Sequence, residues 1–400
     1  MEKDLKVKNK KKILFIHHAI GWGGAIKSMI QLINSLDKSK YSCHVLLIKD
    51  SIVSDKLKEN GISFSVARSK FYKKYYHYFI HSEAGYIKWY QIIRFFRLSI
   101  LWLLSRYYFA QKELFNHRAD IVHLNSLSLT DWLAPSSKVS KVVIHIREPF
   151  RQGRLDFIHF YFRHQYKKYA DVIIAISKDN AKRIGLPDKT KVIYNFAQVP
   201  ENSHKEESYY SKSFLYLGGA AKIKGFFTLV KALDYLDKDV KIYFGGDYTI
   251  SQKKKGLKQI IKRFIGYGKK RQAAIKKMRS HTNAVEIGMT YQVDKYLQEV
   301  CCLISPFTVP HFSRPVIEAH LYKKPAIGSN VYGMDEIIQH KINGLLFEKD
   351  NAIELAKTIN YIANHPNEAK RMGEKGYTVA KEKYSPDNIK IIEKVYDSLG

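Results

Sequence analysis

The sequence predicts an α/β protein built from two Rossmann-like parallel-sheet domains facing a central cleft. Three observations carry that prediction. The chain has 400 residues, too many for one compact core and comfortable for two. Short apolar runs alternate with amphipathic stretches, the pattern of βαβ units. The alternation stops at a polar stretch, Gln198 to Ser213, and then starts again.

In order along the chain, Ile13-Leu-Phe-Ile-His17 reads as a buried strand, Lys27 to Leu36 as an amphipathic helix, and Cys43 to Ile48 as the next strand. Ile121–His123, Val142–Ile146 and Val172–Ile176 repeat the theme, each closing on polar residues. Past the polar stretch come Phe214–Leu217, Val240–Phe244, Val285–Ile287, Cys302–Ile304 and Pro325–Ile327. Helices Phe226–Leu236 and Pro315–Leu321 fall between them, and Ile353 to Leu399 is mostly helical. The expected divisions are a first domain over 1–200, a second over 208–384, and a terminal helix over 385–400 that packs back on the first. Ligands in such folds lie at the carboxyl ends of the strands.

Composition narrows the partners. With 45% hydrophobic and 26% charged residues the chain is globular, which excludes disorder or a fibre. Lys+Arg 68 against Asp+Glu 37 gives a net charge of +31, so an anionic partner is implied. Three cysteines, two of them adjacent, make neither a disulfide framework nor a metal-ligand spacing, which fits a reducing cytosol. The lysine-rich start, Met1 to Lys12, precedes an apolar run shorter than the roughly 7–15 residues of a signal peptide. Leu98–Leu104 is far short of the ~20 residues needed to cross a bilayer.

Two glycine-bearing loops could approach a ligand. Gly21-Trp-Gly23-Gly24 lies between a strand and a helix, where bare backbone and free amides suit an anion, or simply make a tight turn. Its spacing is not that of a dinucleotide fingerprint. In the second half Gly218-Gly219 follows the first strand, Lys224-Gly225 leads into a helix, and Gly245-Gly246 ends the next strand. A lysine in such a loop can neutralise a diphosphate, although a solvated lysine at a helix start is common. Asp237-Lys-Asp239 falls between a helix and a strand and reads as a solvated turn rather than a metal-binding pair.

Over nearly its full length the chain resembles the retaining nucleotide-sugar glycosyltransferases of family 4, which have the GT-B fold. The ordered motifs are Gly23-Gly24, Ala170-Asp-Val-Ile-Ile-Ala-Ile-Ser177, Val192-Ile-Tyr-Asn195, Lys224-Gly225, Ile287-Gly288, Pro315-Val-Ile-Glu318-Ala319, Asp335-Glu336 and Asn343 to Phe347. The resemblance implies that Glu318 grips the donor ribose and that Lys224 meets the donor diphosphate. It places Gly23, Gly24, Gly219, Gly245, Arg314 and the backbone of Pro315, Val316 and Ile317 around the same donor, with Thr290 near its base. His145 matches a histidine facing the transferred sugar, and it and Lys224 are the implied catalytic groups. His18, Asn125, Arg147 and Glu148 are expected on the acceptor. No metal and no cofactor is implied.

Two positions depart from the family pattern. Eight residues before Glu318, where a first Glu is expected, the chain has Pro310 followed by His311. Five before Lys224, where an Arg is expected, it has Gly219. Arg314 or Lys222 is the expected substitute for that lost charge.

The segment Arg68 to Arg118 interleaves ten basic residues, from Arg68 and Lys70 to Lys112 and Arg118, with aromatics, against only Glu83 and Glu113. Such a face suits an anionic membrane, where each cation contributes ~1 kcal/mol. A second basic run, Lys253 to Arg279, has no acid and reads as a helical insertion. No nucleic-acid reader motif occurs, so nucleic acid is not the expected partner. The expectation is an enzyme on the inner face of the cytoplasmic membrane, moving a sugar from a nucleotide-diphosphate donor to a lipid-linked saccharide acceptor. A non-catalytic nucleotide-sugar or glycan-binding partner is the alternative.

Overall fold

A computed structural model describes residues 10–198, 205–250, 267–290 and 292–400. The chain forms two compact units. Met1–Phe196 and Pro386–Gly400 make the first, and Ala197–Ser385 the second.

The first unit is a seven-stranded parallel sheet in the order β3-β2-β1-β4-β5-β6-β7. Its strands are β1 (Lys11–His17), β2 (Tyr41–Leu47), β3 (Phe64–Val66), β4 (Ile121–Leu124), β5 (Lys141–Ile146), β6 (Val172–Ala175) and β7 (Thr190–Val192). Helices α1 (Gly24–Ser35), α2 (Ile52–Glu59), α3 (Ile92–Leu104), α4 (Ala110–Phe115), α5 (Thr130–Ser137), α6 (Phe157–Tyr169) and α7 (Lys178–Ile184) connect them. Because β1 is covered on both faces, alternate residues enter two different cores. Leu14 and Ile16 meet Trp132 and Phe162 on one side. Ile13 and Phe15 meet Met29 and Ile33 on the other.

The second unit is a six-stranded parallel sheet, order β10-β9-β8-β11-β12-β13. It comprises β8 (Ser213–Tyr216), β9 (Lys241–Gly245), β10 (Ala284–Gly288), β11 (Cys302–Ser305), β12 (Ala326–Ser329) and β13 (Gly344–Phe347). Its helices are α8 (Phe226–Ala232), α9 (Tyr267–Ser280), α10 (Val293–Glu299), α11 (Arg314–Leu321), α12 (Ala352–Asn364) and α13 (Pro366–Lys383). Each sheet therefore has the doubly wound order of a Rossmann-like domain, the two-domain α/β fold read from the sequence.

The last helix, α14 (Asn388–Asp397), belongs to the first unit. Its buried face, Ile389, Ile392, Val395 and Tyr396, recurs at helical spacing and joins the core with Ile13 and Phe15. Polar contacts fix it further: Lys11 Nζ donates to the Tyr396 carbonyl at 2.7 Å, and the Asp37 amide to Glu393 Oε1 at 2.8 Å.

Several local expectations need correction. Strands β3 and β7 are three residues long, too short to announce themselves as apolar runs. Residues Leu233–Tyr235 of the expected helix Phe226–Leu236 form a 3₁₀ turn after α8. The polar stretch from Gln198 is not all linker. Residues 199–204 lie outside the described residues, but Glu206–Tyr210 is a 3₁₀ turn, with Tyr209 buried and its hydroxyl on the Lys323 carbonyl. Of the second basic run, 251–266 lie outside the described residues and the rest is α9, tied down by Lys277 to Asp234 and by Arg279 to Glu286 at 2.6 Å. Asp237 accepts from Asn360 and Asn364, and Asp239 pairs with Lys212 at 2.6 Å, so both serve the turn.

The largest correction concerns the first basic, aromatic segment, which is not one solvent-facing surface. Phe71, Tyr72, Tyr76, Phe79 and Trp102 are core residues. The Trp102 indole donates to Thr130 Oγ1 at 2.8 Å, and a wide π-type turn, Ser105–Phe109, lets the Ser105 hydroxyl meet that of Tyr72 at 2.8 Å. Composition alone cannot separate aromatics that fill a core from those that coat a surface. Among the described residues no helix is long and apolar enough to cross a membrane.

Gly225 has φ +75°, and a Cβ there would lie 1.8 Å from the Pro306 carbonyl oxygen. Gly225→Ala is therefore expected to cost at least about 2 kcal/mol, from left-handed strain plus overpacking. Urea unfolding of the variant beside the wild type checks this; an unchanged midpoint contradicts the close approach.

Candidate functional site

In the first unit the polar residues gather past the carboxyl ends of β1, β4, β5 and β7. Arg147, just beyond β5, is the hub. Its Nε donates to Asn125 Oδ1 at 2.7 Å, one terminal nitrogen to Asn195 Oδ1 at 2.8 Å, and the other approaches His145 Nδ1 at 3.4 Å. Asn125 Nδ2 in turn donates to His17 Nδ1 at 3.1 Å. An arginine only donates, and the Asn125 amide donates here, so the Nδ1 atoms of His145 and His17 are acceptors. Each ring then carries its proton on Nε2. Neither Nε2 has a hydrogen-bond partner among the described residues, and both are buried. His18 Nδ1 and His123 Nε2 are in the same position. Buried donors without acceptors cost about 1–3 kcal/mol each, so this cluster is built to meet polar atoms from outside the chain.

Burial holds the ring of His145 well below its ordinary pKa, helped by the Arg147 charge and by His123. His17 is depressed in the same way, and His18, edge-on to Tyr78 at 4.3 Å, is lowered to about 4. All three are neutral at pH 7. Glu148 does not reach the histidines. It accepts from Ser126 Oγ at 3.0 Å and the Leu127 amide at 3.3 Å, and burial raises its pKa. Gly23 caps α1 with no side-chain bond, and Gly23 and Gly24 at its start are exposed.

His123 and Tyr396 extend the cluster, and the sequence reading missed both, as it did His17 and Asn195 as contributors. The Tyr396 hydroxyl lies 2.7 Å from His123 Nδ1, and the His123 ring lies 5.4 Å from that of His145. A residue four from the chain's end thereby touches the centre of the sheet. His17 and Asn195 each end a strand-like run, a signal that strand-end placement offered; nothing in the sequence pairs position 396 with position 123.

In the second unit the residues expected on a donor lie past the ends of β8, β10 and β11. Lys224 lies in a 3₁₀ turn, Lys222–Lys224, held by the Thr308 amide on the Ile223 carbonyl at 3.0 Å. It is half-buried, and burial lowers the pKa of its ammonium. The ring of His311 stacks on Phe307 at 3.7 Å. Burial and then the Lys224 charge lower its pKa to about 3. His311, not Pro310, thus supplies the side chain beside Lys224 in the part of the motif where a carboxylate was expected. Thr290 follows β10, its hydroxyl accepting from the Gln292 amide at 3.1 Å.

Arg314 and Glu318 occupy the first turns of α11 and pair with each other, Nε to Oε1, at 2.8 Å. The guanidinium expected to replace a missing diphosphate contact therefore sits on the carboxylate expected to hold the ribose. Lys222, the other substitute, is exposed. Pro315 occupies the start of the helix and has no N–H, Val316 and Ile317 are buried behind it, and the Val316 amide donates to the Ser313 carbonyl at 3.1 Å, so two of the three expected backbone donors are absent or engaged.

Gly219 and Gly245 have packing reasons to be glycine. Gly219 (φ +57°) would place a Cβ 2.8 Å from the Asp247 amide nitrogen, and its own amide donates to the Gly245 carbonyl at 3.0 Å. A Cβ at Gly245 would strike Leu217 at 2.8 Å. The loops after β8 and β9 meet backbone to backbone, so an arginine at 219 would not fit this loop as it stands.

With that geometry in place, the relatives can be weighed. Residues 22–199 match the family model described as Glycosyltransferase Family 4, and residues 199–379 match Glycosyl transferases group 1. An uncharacterized glycosyltransferase of Methanocaldococcus jannaschii, MJ1178, is 26% identical over 242 residues, which is 58% of this chain and 62% of that protein. The chain thus spans less than two thirds of the length of that curated relative. Among solved structures, Anabaena HepE in complex with UDP-glucose superimposes with a TM-score of 0.72 at 18% identity, over 97% of this chain and 99% of that one. S. aureus TarM, in complex with UDP among other ligands, gives 0.69 at 14% identity over 98% and 100%. The lipopolysaccharide outer core galactosyltransferase WaaB gives 0.63 at 18% over 97% and 99%. The fold is GT-B. Together the two family matches and the archaeal relative support a glycosyltransferase with that fold.

Two outcomes follow from the buried rings. Tyr396→Phe removes the partner of His123 Nδ1 and is expected to cost about 1–2 kcal/mol. It should also move the imidazole ¹⁵N resonances of His123, and unmoved resonances would show the bond is not made in solution. Separately, His18, His311 and His320 are lowered to about 4, 3 and 4, chiefly by burial. Unfolding restores the usual value near 6.5, so the unfolded chain binds more protons below it. Their stability is fully present above pH 6.5 and is lost as pH falls toward 3–4. Chemical-denaturation midpoints should decline through that window, and a flat profile contradicts the burial.

Proposed function

We propose that this chain is a retaining, metal-independent glycosyltransferase that moves a sugar from a nucleotide-diphosphate donor to a lipid-linked saccharide in surface-polysaccharide or lipopolysaccharide assembly, at an anionic membrane surface. The observation that carries the reading is the grouping of Lys224, His311, Arg314 and Glu318 at one sheet edge of the second unit, where a nucleotide diphosphate would find a cation, the positive end of a helix and a ribose acceptor. UDP and UDP-glucose in structures of HepE, and the galactosyltransferase description of WaaB, support it by likeness of fold. The proposed division of labour gives the acceptor to residues 1–200 and the donor to 208–384, with 385–400 completing the first.

In this reading the acceptor hydroxyl attacks the anomeric carbon on the face the diphosphate leaves. The new C–O bond forms as the bond to the phosphate oxygen breaks, and the hydroxyl proton passes to that departing oxygen. The chain's part is electrostatic. Lys224, already partly desolvated, gains most when the diphosphate charge grows, and the positive end of the α11 dipole adds to it. Glu318 accepts the ribose hydroxyls once Arg314 turns from it toward the phosphates, a bidentate role suited to a guanidinium. His17 and His145 offer neutral N–H donors to sugar oxygens. They are not proton acceptors on Nδ1, which Arg147 and Asn125 occupy. The rival reading, a binding partner without turnover, rests on Pro310 replacing the expected carboxylate.

Binding of UDP and GDP measured by calorimetry, together with nucleotide release from a panel of activated sugars, tests the proposal. Glu318→Ala should weaken nucleotide binding roughly tenfold or more, the loss of a charged hydrogen bond. Lys224→Ala should lower turnover more than affinity. Unchanged nucleotide affinity in Glu318→Ala would sink the ribose assignment. Tight nucleotide binding with no release from any donor would favour the binding partner.

A further inference from the structure

Once the aromatics of the core are set aside, an apolar surface remains on the first unit that no element among the described residues covers. Helix α3 is apolar on both sides. Leu98 and Trp102 enter the core, while Ile93 (87% exposed), Phe96 (60%), Ile100 (57%) and Leu104 (45%) run up the opposite side at helical spacing. Trp89, 89% exposed, stands just before the helix. Helix α6 lies alongside, its Phe157 ring 6.4 Å from Phe95 and its Tyr161 ring 5.9 Å from Trp102. It adds Leu155, Phe157 and Phe160, which are 92%, 69% and 57% exposed. Scattered exposed apolar residues are ordinary, but a contiguous two-helix face of this kind marks an interaction surface.

Charge identifies what covers it. Lys88, Arg94, Arg97, Arg154, Lys167 and Lys168 are exposed around the face. From Ala84 to Lys112, and from Phe157 to Ala170, the chain has no Asp or Glu. Asp156, which precedes α6, is buried and held by His81 and Arg151 at 2.9 and 2.6 Å. A second copy of this chain packed about a two-fold axis would set these cations against themselves. Nucleic acid would satisfy the cations and leave Ile93 and Leu155 in water. A bilayer bearing anionic headgroups satisfies both, with the apolar residues below the headgroups and the basic side chains reaching up to them.

We propose that the paired faces of α3 and α6 are an in-plane membrane-docking surface, entered by Trp89, Ile93, Phe96, Leu155, Phe157 and Phe160 and specific for anionic phospholipid. This deepens the reading above and rests on it for the lipid-borne acceptor. The docking is by α3 and α6, not by the whole basic segment of the sequence, because Phe71, Tyr72, Tyr76 and Phe79 of that segment are buried in the core. Helix α3 has 13 residues and lies along the bilayer rather than through it.

Co-sedimentation with vesicles of phosphatidylglycerol and phosphatidylcholine, against phosphatidylcholine alone and without any acceptor, tests it in the full chain at physiological salt. The wild type should partition to the anionic vesicles, with quenching of Trp89 by brominated lipid that Trp89→Phe abolishes. Ile93→Asp with Phe96→Asp, and separately Phe157→Asp with Phe160→Asp, should each lower partition about tenfold or more. Their thermal midpoints should stay unchanged, since all four positions are exposed. Failure of the wild type to bind anionic vesicles overturns the proposal, as does equal binding to both vesicle types. So does a wild-type dimer that the same variants dissociate in sedimentation equilibrium. Vesicle binding that persists in a chain inactive on every donor would leave this surface standing and remove the enzymatic reading. Turnover without vesicle binding would do the reverse.

Discussion

The constraint on which this molecule depends is the parallel hydrogen-bonded ladder. A parallel strand cannot be reached by a tight turn, so each crossover must leave one edge of the sheet and return at the other. Every strand therefore ends at the same edge, and every loop that follows a strand is delivered there. In the first unit this brings His17, Asn125, Arg147 and Asn195 together although 178 positions separate the first from the last. In the second it sets the turn carrying Lys224 against the loop carrying His311, bridged by Thr308 and Ile223. The crossovers also cover both faces, which is why strands such as Ile13–Ile16 are apolar at every position.

The two edges differ in how they hold their polar groups. The first is a network in which one guanidinium fixes an asparagine and through it the tautomer of His17, while approaching His145 itself. Its remaining ring nitrogens are buried and have no hydrogen-bond partner among the described residues. The second is looser and charged. Lys224 is partly stripped of water, and Arg314 and Glu318 satisfy one another across a helical turn. A pair of that kind stores two opposite charges in a half-buried place at little cost, and either member can be redirected when a ligand brings a stronger partner.

Much of this was readable from residue order. Most of the longer strands stood out, as did the restart of the pattern after Ser213, because a strand buried on both faces has few polar positions to disguise it; β13, Gly344–Phe347, was read only as part of a motif. Lys224 and Glu318 were singled out by motif order, which survives where identity is low. Three things were not legible. The 3-residue strands β3 and β7 carry too little pattern to rise above loops. Glycines 219 and 245 looked like ligand-facing positions, but their need for a bare backbone comes from neighbouring loops. The aromatic content of residues 68–118 was visible, yet not its division into Tyr72 and Trp102 inside and Trp89 and Phe96 outside.

The sequence alone determined the class of fold, the number of domains and the positions of the glycine-bearing loops at the strand ends, since each rests on periodicity or on local residue type. Only the tertiary structure decided that Tyr396 meets His123 and that α3 and α6 share a face that no described element covers. Those contacts join residues through space, and their energies depend on distance and burial that no local pattern records.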